Sequence, residues 1–254
     1  KDLLLSKEQA GDFIQIMKER SGILQEVSPG RYGFIHLTFK EYLAARNLTD
    51  LSDDSIEKLG NNLFKPEWKE VVLLTVTSLK RRAASNFIKD VFEKDQNGFQ
   101  NLILAGECLL VLSRDKIDER LYDNLVKEMS KVIAEDIPVK DRVAVGEILG
   151  WLGDTRDLKE FIPVAKGKYT LRRGEVDIKP FELGKYLVTN SWFEEFIKAG
   201  GYKNKNHWSK EGKKWLEEEK AEQPKLWNVR IWKCPNSPVV GVSWYEAYAF
   251  ARWL

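Results

Sequence analysis

Cysteine is scarce in this 254-residue chain, which argues against a disulfide framework. Only Cys108 and Cys234 occur, the first in an apolar run of helical character and the second just before a proline. No zinc-type spacing accompanies them, and a reducing compartment fits this usage. Excess charge is lacking too, since 41 Lys and Arg stand against 39 Asp and Glu for a formal net charge of +2. So balanced a chain has no large attraction for nucleic acid or an anionic membrane, although a local basic face is compatible with it. No apolar run is long enough to span a bilayer, and no cationic stretch followed by an apolar one marks a secretory signal. Missing as well is the phosphate-cradling pattern G-x-x-x-x-G-K-Ser/Thr, because Gly167-Lys168, Gly184-Lys185 and Gly212-Lys213 lack the first glycine at the required offset. By itself the chain is therefore not expected to hydrolyse nucleotides or to carry a cofactor.

What is present is a globular composition, 43% hydrophobic with nine Trp, long enough for more than one core. In the first fifty residues, Ser6-Lys7-Glu8-Gln9 predicts a capped helix with Phe13, Ile14, Ile16 and Met17 on its apolar face. Two strand-like runs follow, Ile23 to Val27 and Tyr32 to Leu37, separated by Ser28-Pro29-Gly30-Arg31, which suits a type II turn with Gly30 at positive φ. From Thr38, Phe39, Tyr42 and Leu43 mark a second helix. Helix, hairpin, helix is the back half of a winged helix, an order that would suggest DNA binding. Only Arg31 gives the hairpin a cation, however, so nucleic acid is not the expected partner. His36, at the end of the second strand, is either a satisfied structural histidine or a donor to an anion.

The run YGFIHLTFKEYLAARNL, Tyr32 to Leu48, resembles the winged-helix segment of NACHT-type STAND ATPases. In that family the winged helix packs on the nucleotide pocket and its histidine contacts the phosphate of bound ADP in the resting state. The resemblance gives His36 that role in a longer parent, with ATP or ADP and Mg²⁺ bound by an ATPase core upstream of Lys1.

From Leu51 to Pro163 amphipathic helices follow one another. Pro66 opens one with Trp68, Val72, Leu73 and Val76 inward, and Phe87, Ile88, Val91 and Phe92 form the next stripe. Leu102, Ile103, Ala105, Leu109 and Leu110 make another, before helices over Leu121 to Ile133 and Val139 to Leu152. Pairs of this size stack as HEAT-like repeats. Lys80-Arg81-Arg82 could touch phosphate or could be a solvated, dipole-complementing helix end. Asp141 to Asp157 reads as a stiff joint to the next domain.

After Pro163 the pattern becomes α+β. Lys168 to Leu171 and Phe181 to Val188 are strand-like, and Thr189-Asn190 caps a helix through Trp192, Phe193, Phe196 and Ile197. Pro180-Phe181, Lys185 to Asn190, Gly201-Tyr202, Trp208 to Gly212, Trp215 and Pro238 to Ala247 together resemble the formylglycine-generating enzyme, or sulfatase-modifying-factor, family. That resemblance implies an irregular, C-type-lectin-like fold. Enzymes of the family oxidise a sulfatase cysteine with copper held by a cysteine pair in their C-terminal half, whereas other members are ligand-binding platforms. The chain stops before that half, so catalysis is not expected of it, and the Ser243-capped helix bearing Tyr245, Tyr248, Ala249 and Trp253 would lack a partner. Trp208, Trp227 and Trp232 are candidate ligand-binding residues, with core packing as the alternative. Cys234 has no neighbouring Cys and only His207 near it, which leaves little for reactivity or metal binding.

The expected architecture is thus a partial winged helix over 1–50, a helical arm over 51–162 and the first half of a formylglycine-generating-enzyme-like domain over 163–254. The function expected is regulation and sensing within a cytoplasmic signalling ATPase, for example in prokaryotic defence. Its partners would be the ATPase core, a protein or small-molecule ligand, and further copies on activation, with no membrane involved. The rival is a formylglycine-generating oxidase with a helical extension.

Overall fold

Pro29 and Gly30 close the hairpin that their chemistry predicts. In the computed structural model, which describes residues 11–12, 15–16, 23–50, 55–94, 98–172 and 174–254, β1 (Leu24–Ser28) pairs antiparallel with β2 (Arg31–Phe34), Leu24 opposite Phe34. Gly30 takes φ +72°, a conformation that a side chain would strain, and its N–H donates to Glu26 Oε1 at 3.0 Å. The helix expected from the Ser6 cap through Phe13, Ile14 and Met17 lies largely outside the described residues. After the hairpin, α1 (Leu37–Asp50) buries Ala45 and Leu48, while Phe39, Tyr42 and Leu43 stay exposed. The apolar residues that mark this helix in the sequence are therefore not the ones it buries.

A helical run follows, as expected: α2 (Ser55–Leu59), α3 (Lys69–Ser78), α4 (Arg81–Glu93), α5 (Gln100–Leu110), α6 (Glu119–Val132) and α7 (Val139–Leu152). Pro66 opens a short 3-10 turn rather than α3 itself. The buried face of α3 is Val71, Val72, Thr75 and Val76, with Leu73 only half-buried. Thr75 is tolerated there because its hydroxyl donates to the Val71 carbonyl at 2.7 Å. Phe87, Ile88 and Val91 are buried on α4, and Leu102, Ala105 and Leu109 on α5, but Leu110 faces outward. Cys108 is buried, and that burial, with Glu107 beside it, pushes its thiol up to about 12, so it is no nucleophile.

The chain divides into two compact units, 1–123 and 124–254, the division falling inside α6. The second unit contains two small antiparallel pairs. β3 (Phe161–Val164) pairs with β6 (Phe181–Gly184), and β4 (Gly167–Leu171) with β5 (Gly174–Ile178). The strand expected to run on to Val188 ends at Gly184, and β3 and β5 were not evident in the sequence. Pro163, opposite Glu182, gives β3 no ladder donor, and GEVDI alternates charge without a strong apolar face. This helical chain with a small α+β end has the expected fold class.

Three helices then gather an aromatic core: α8 (Asn190–Lys198), α9 (Lys210–Glu219) and α10 (Trp244–Trp253), capped by Thr189, Ser209 and Ser243. Trp192, Phe193, Phe196, Tyr202, Trp208 and Phe250 form its centre. Phe193 stacks on Phe250 at 5.2 Å and 14°, while Trp192 meets Phe250 edge-on. The expectation of an uncovered α10 is corrected here. Its face at Glu246, Ala249, Phe250 and Trp253, spaced as one helical stripe, packs onto residues earlier in the chain. Tyr248 instead stacks on exposed Trp244 at 5.4 Å. Among the described residues no helix is long and apolar enough to cross a membrane.

Gly201 lies against the ring of Phe196, where an added Cβ would come within 2.2 Å. Gly201→Ala is expected to destabilise the second unit by about 1–3 kcal/mol through overpacking. An unchanged urea midpoint would show that the ring moves aside freely.

Candidate ligand-binding site

The sequence singled out three tryptophans, and the fold treats them differently. Trp208 is 4% exposed, stacks on Trp215 at 6.0 Å and donates its indole N–H to the Gly201 carbonyl at 2.9 Å. With its polar atom satisfied and its face covered, it is a core residue rather than a ligand contact. Trp232 is 46% exposed, and its carbonyl accepts from Asn190. Trp227 lines a cleft. His36 lies in the bend between β2 and α1, exposed, its ring 6.2 Å from Phe39.

The cleft has a volume of about 230 Å³ and is bounded by Trp151, Asn190, Ser191, Glu194, Trp227 and Lys233, with Pro235 in its wall. Its wall depends on the loop from Trp232 to Ser237, which is tied on two sides. On one side Asn190 donates its amide to the Trp232 and Cys234 carbonyls at 2.6 and 2.9 Å. The backbone N–H groups of Asn190 and Ser191 donate to Ser237 and Pro235 carbonyls. On the other side Asn236 Nδ2 donates to the Gly146 carbonyl and to Asp154 Oδ2, both at 2.8 Å. Gly150 permits that approach, since a Cβ there would lie 2.3 Å from Asn236 Oδ1. The joint expected over Asp141 to Asp157 is thus clasped to the domain that follows it.

Asp154 also receives Arg156 through Nε at 2.9 Å and Nη2 at 2.5 Å. Burial acts to raise the Asp154 carboxyl, but the hydrogen bonds from Arg156 and Asn236 outweigh it and hold the group below its ordinary value. Cys234 is raised chiefly by burial, so its thiol stays protonated and inert. Glu246, buried in the core, accepts from the Tyr202 hydroxyl at 2.5 Å and from the Ser243 N–H at 2.7 Å. Burial first, then Glu246, raises the Tyr202 phenol, and the hydrogen bond between them braces α10.

Chemically, the cleft offers two indoles, small polar groups at the start of α8, a carboxylate and an ammonium. Glu194 is already shared with Lys198 at 2.9 Å. Such a wall suits a small planar or cationic group. Trp151 and Asn236 were not among the sequence candidates, Trp151 being read as part of the joint and Asn236 carrying no motif. Asn190 was read as a helix cap and as part of the Lys185 to Asn190 resemblance, not as a binding residue.

Residues 153–254 match the family described as a sulfatase-modifying factor enzyme 1-like domain. Residues 5–48 match a winged helix-turn-helix domain C-terminal to NACHT. The chain joins these two segments. The chain is also similar to hercynine oxygenases over part of its length. One, from Mycolicibacterium smegmatis, is 36% identical over 87 residues, and one from Mycolicibacterium thermoresistibile is 32% identical over 87 residues. The alignments cover 31% of this chain and 20% of each relative, so the chain spans about a fifth of the length of these curated relatives. The cleft draws most of its lining from this domain, and Trp151, at the end of α7, completes it.

Asn236→Ala removes both amide bonds of the clasp and leaves the Gly146 carbonyl without this donor. A stability loss of about 1–3 kcal/mol is expected in thermal or urea unfolding. Because the Asp154 value is depressed in the folded state, its contribution is complete above the ordinary carboxylate value of about 4 and is lost as pH falls through the lower folded value. Asn236→Ala should therefore move the acid-unfolding midpoint to higher pH, and an unmoved midpoint would count against the clasp.

Proposed function

We propose that this chain is the regulatory and sensor portion of a NACHT-type signalling ATPase. One observation carries the reading: a NACHT-associated winged helix and a sulfatase-modifying-factor-like domain occur on the same chain. In the proposed mechanism an upstream core binds ATP or ADP with Mg²⁺, and the winged helix restrains the ADP state. The position of His36 in an exposed bend supports a contact with the nucleotide phosphate, because an imidazole there is free of burial and able to donate to an anion. Capture of a protein or small-molecule ligand by the C-terminal domain then shifts the population toward an open, oligomerising state. Trp227 and the cleft around it are the proposed contact for a small ligand. The setting is cytoplasmic, in keeping with the cysteine usage.

The similarity to hercynine oxygenases favours a second reading, in which the domain belongs to an oxidative enzyme. Oxygen consumption by the full-length protein with thiol substrates would support that reading, and would go against a sensing role for the domain.

The test of the first reading uses the full-length protein. His36→Leu is expected to weaken ADP retention about tenfold, the size of one charge-assisted hydrogen bond. Nucleotide occupancy equal to that of the unmodified protein after purification would remove the proposed role of His36.

A further inference from the structure

The first unit carries a charged groove that neither the winged helix nor the cleft accounts for. Arg81, Arg82, Asn86 and Lys89 line one side of a depression of about 440 Å³, and Asp118 faces them. At 100° per residue, these positions of α4 share one helical face. Ser85, on that face, holds the opposite wall in place: its hydroxyl accepts from the Asp118 N–H at 3.0 Å and donates to the Arg81 carbonyl at 2.9 Å.

Three cations meet one carboxylate in this groove, and that carboxylate is engaged. Asp118 Oδ1 accepts from the Leu121 N–H at 3.1 Å at the start of α6. Lys89 is 3.7 Å from Glu93, with both side chains 58% exposed, a separation that constrains the ammonium little. Asp115 lies in the turn before α6, and its exposed carboxyl is held below its ordinary value first by the Ser113 hydroxyl, next by a backbone N–H, and least by Lys116 and Arg81. The start of α4 adds partial positive charge of its own, since its first turn has no acidic residue and Lys80 at the cap supplies no side-chain acceptor. Arginine forks beside free helix N–H groups are well matched to the oxygens of a phosphate.

We propose that the α4 groove binds a phosphate-bearing small molecule through Arg81, Arg82 and Lys89. Size and shape favour a small ligand over a polymer. The volume falls within the range of small-molecule sites, and Arg81 to Lys89 covers about 12 Å along the helix, enough for a diphosphate or triphosphate group. Among the described residues that line the groove none is aromatic, so they offer no platform for stacked bases. A nearly balanced chain also provides little additional field for a long polyanion. The inference is independent of the function proposed above.

Calorimetric titration of the whole chain with sodium pyrophosphate tests it, alongside inorganic phosphate, a single-stranded oligonucleotide and vesicles containing anionic lipid. Pyrophosphate is expected to bind more tightly than phosphate. Arg81→Gln, Arg82→Gln and Lys89→Gln should each weaken it about tenfold, one charge-assisted contact apiece. A Lys213→Gln, Lys214→Gln pair should leave binding unchanged. All three groove cations are exposed, so unchanged melting curves are expected and will separate lost binding from lost fold. Absence of pyrophosphate binding at low salt, or equal affinity in the charge variants, overturns the proposal. Oligonucleotide or vesicle binding that is tighter and needs Arg81 and Arg82 overturns it as well, by reassigning the groove to a polymer or a membrane surface.

Discussion

Two asparagine side chains hold the second unit in register. Asn190 and Asn236 grip the loop from Trp232 to Ser237 from opposite sides, one from the start of α8 and one reaching back to α7 and Asp154. An amide can do this because it carries two donors on one nitrogen, so a single side chain satisfies two acceptors at once. Without these bonds the loop would have carbonyls and a buried thiol facing a helix end with nothing to align them. The cleft exists because this loop is placed there, and Lys233 and Pro235 line it as a consequence.

Beyond the clasp, the unit relies on aromatic mass instead of extended sheet. Strands of four or five residues in separate pairs bury little by themselves. Phe193, Phe196, Trp208 and Phe250 supply the area that such short strands lack, and edge-to-face or stacked contacts fix their orientation. The polar groups drawn into this core are matched: the Trp208 indole finds a carbonyl, and Glu246 finds a phenol and a backbone donor. Matching lets α10 carry a buried glutamate without leaving its side-chain oxygens unsatisfied.

Local chemistry was readable wherever a single residue type imposes geometry. Pro29-Gly30 specified a turn, Ser243 specified the cap of α10, and the helix expected over Val139 to Leu152 is α7. Patterns that depend on a partner were less readable. β3 and β5 exist because β6 and β4 lie beside them: Pro163 breaks the pattern of β3, and the Glu-Val-Asp-Ile alternation of β5 is short and leaves Val176 exposed. Trp208 and Trp227 look alike in sequence, yet one is enclosed by Tyr202 and Trp215 while the other reaches a cleft. Asn236 had no local signal at all, because both of its acceptors lie more than eighty residues away.

Sequence by itself determined the kinds of segment on this chain, through motifs whose residues are near neighbours: the Tyr32 to Leu48 run and the Gly241 to Ala247 approach to α10. It also determined helix starts, turns and the balance of charge, since these depend on short-range sterics and on counting. Tertiary structure decided which aromatics became core, which face α10 buried, and that Arg81, Arg82 and Lys89 share a groove with Asp118. The physical reason is range. Caps and turns are settled within four or five residues, whereas burial and shared walls depend on elements that meet only after the chain has folded back.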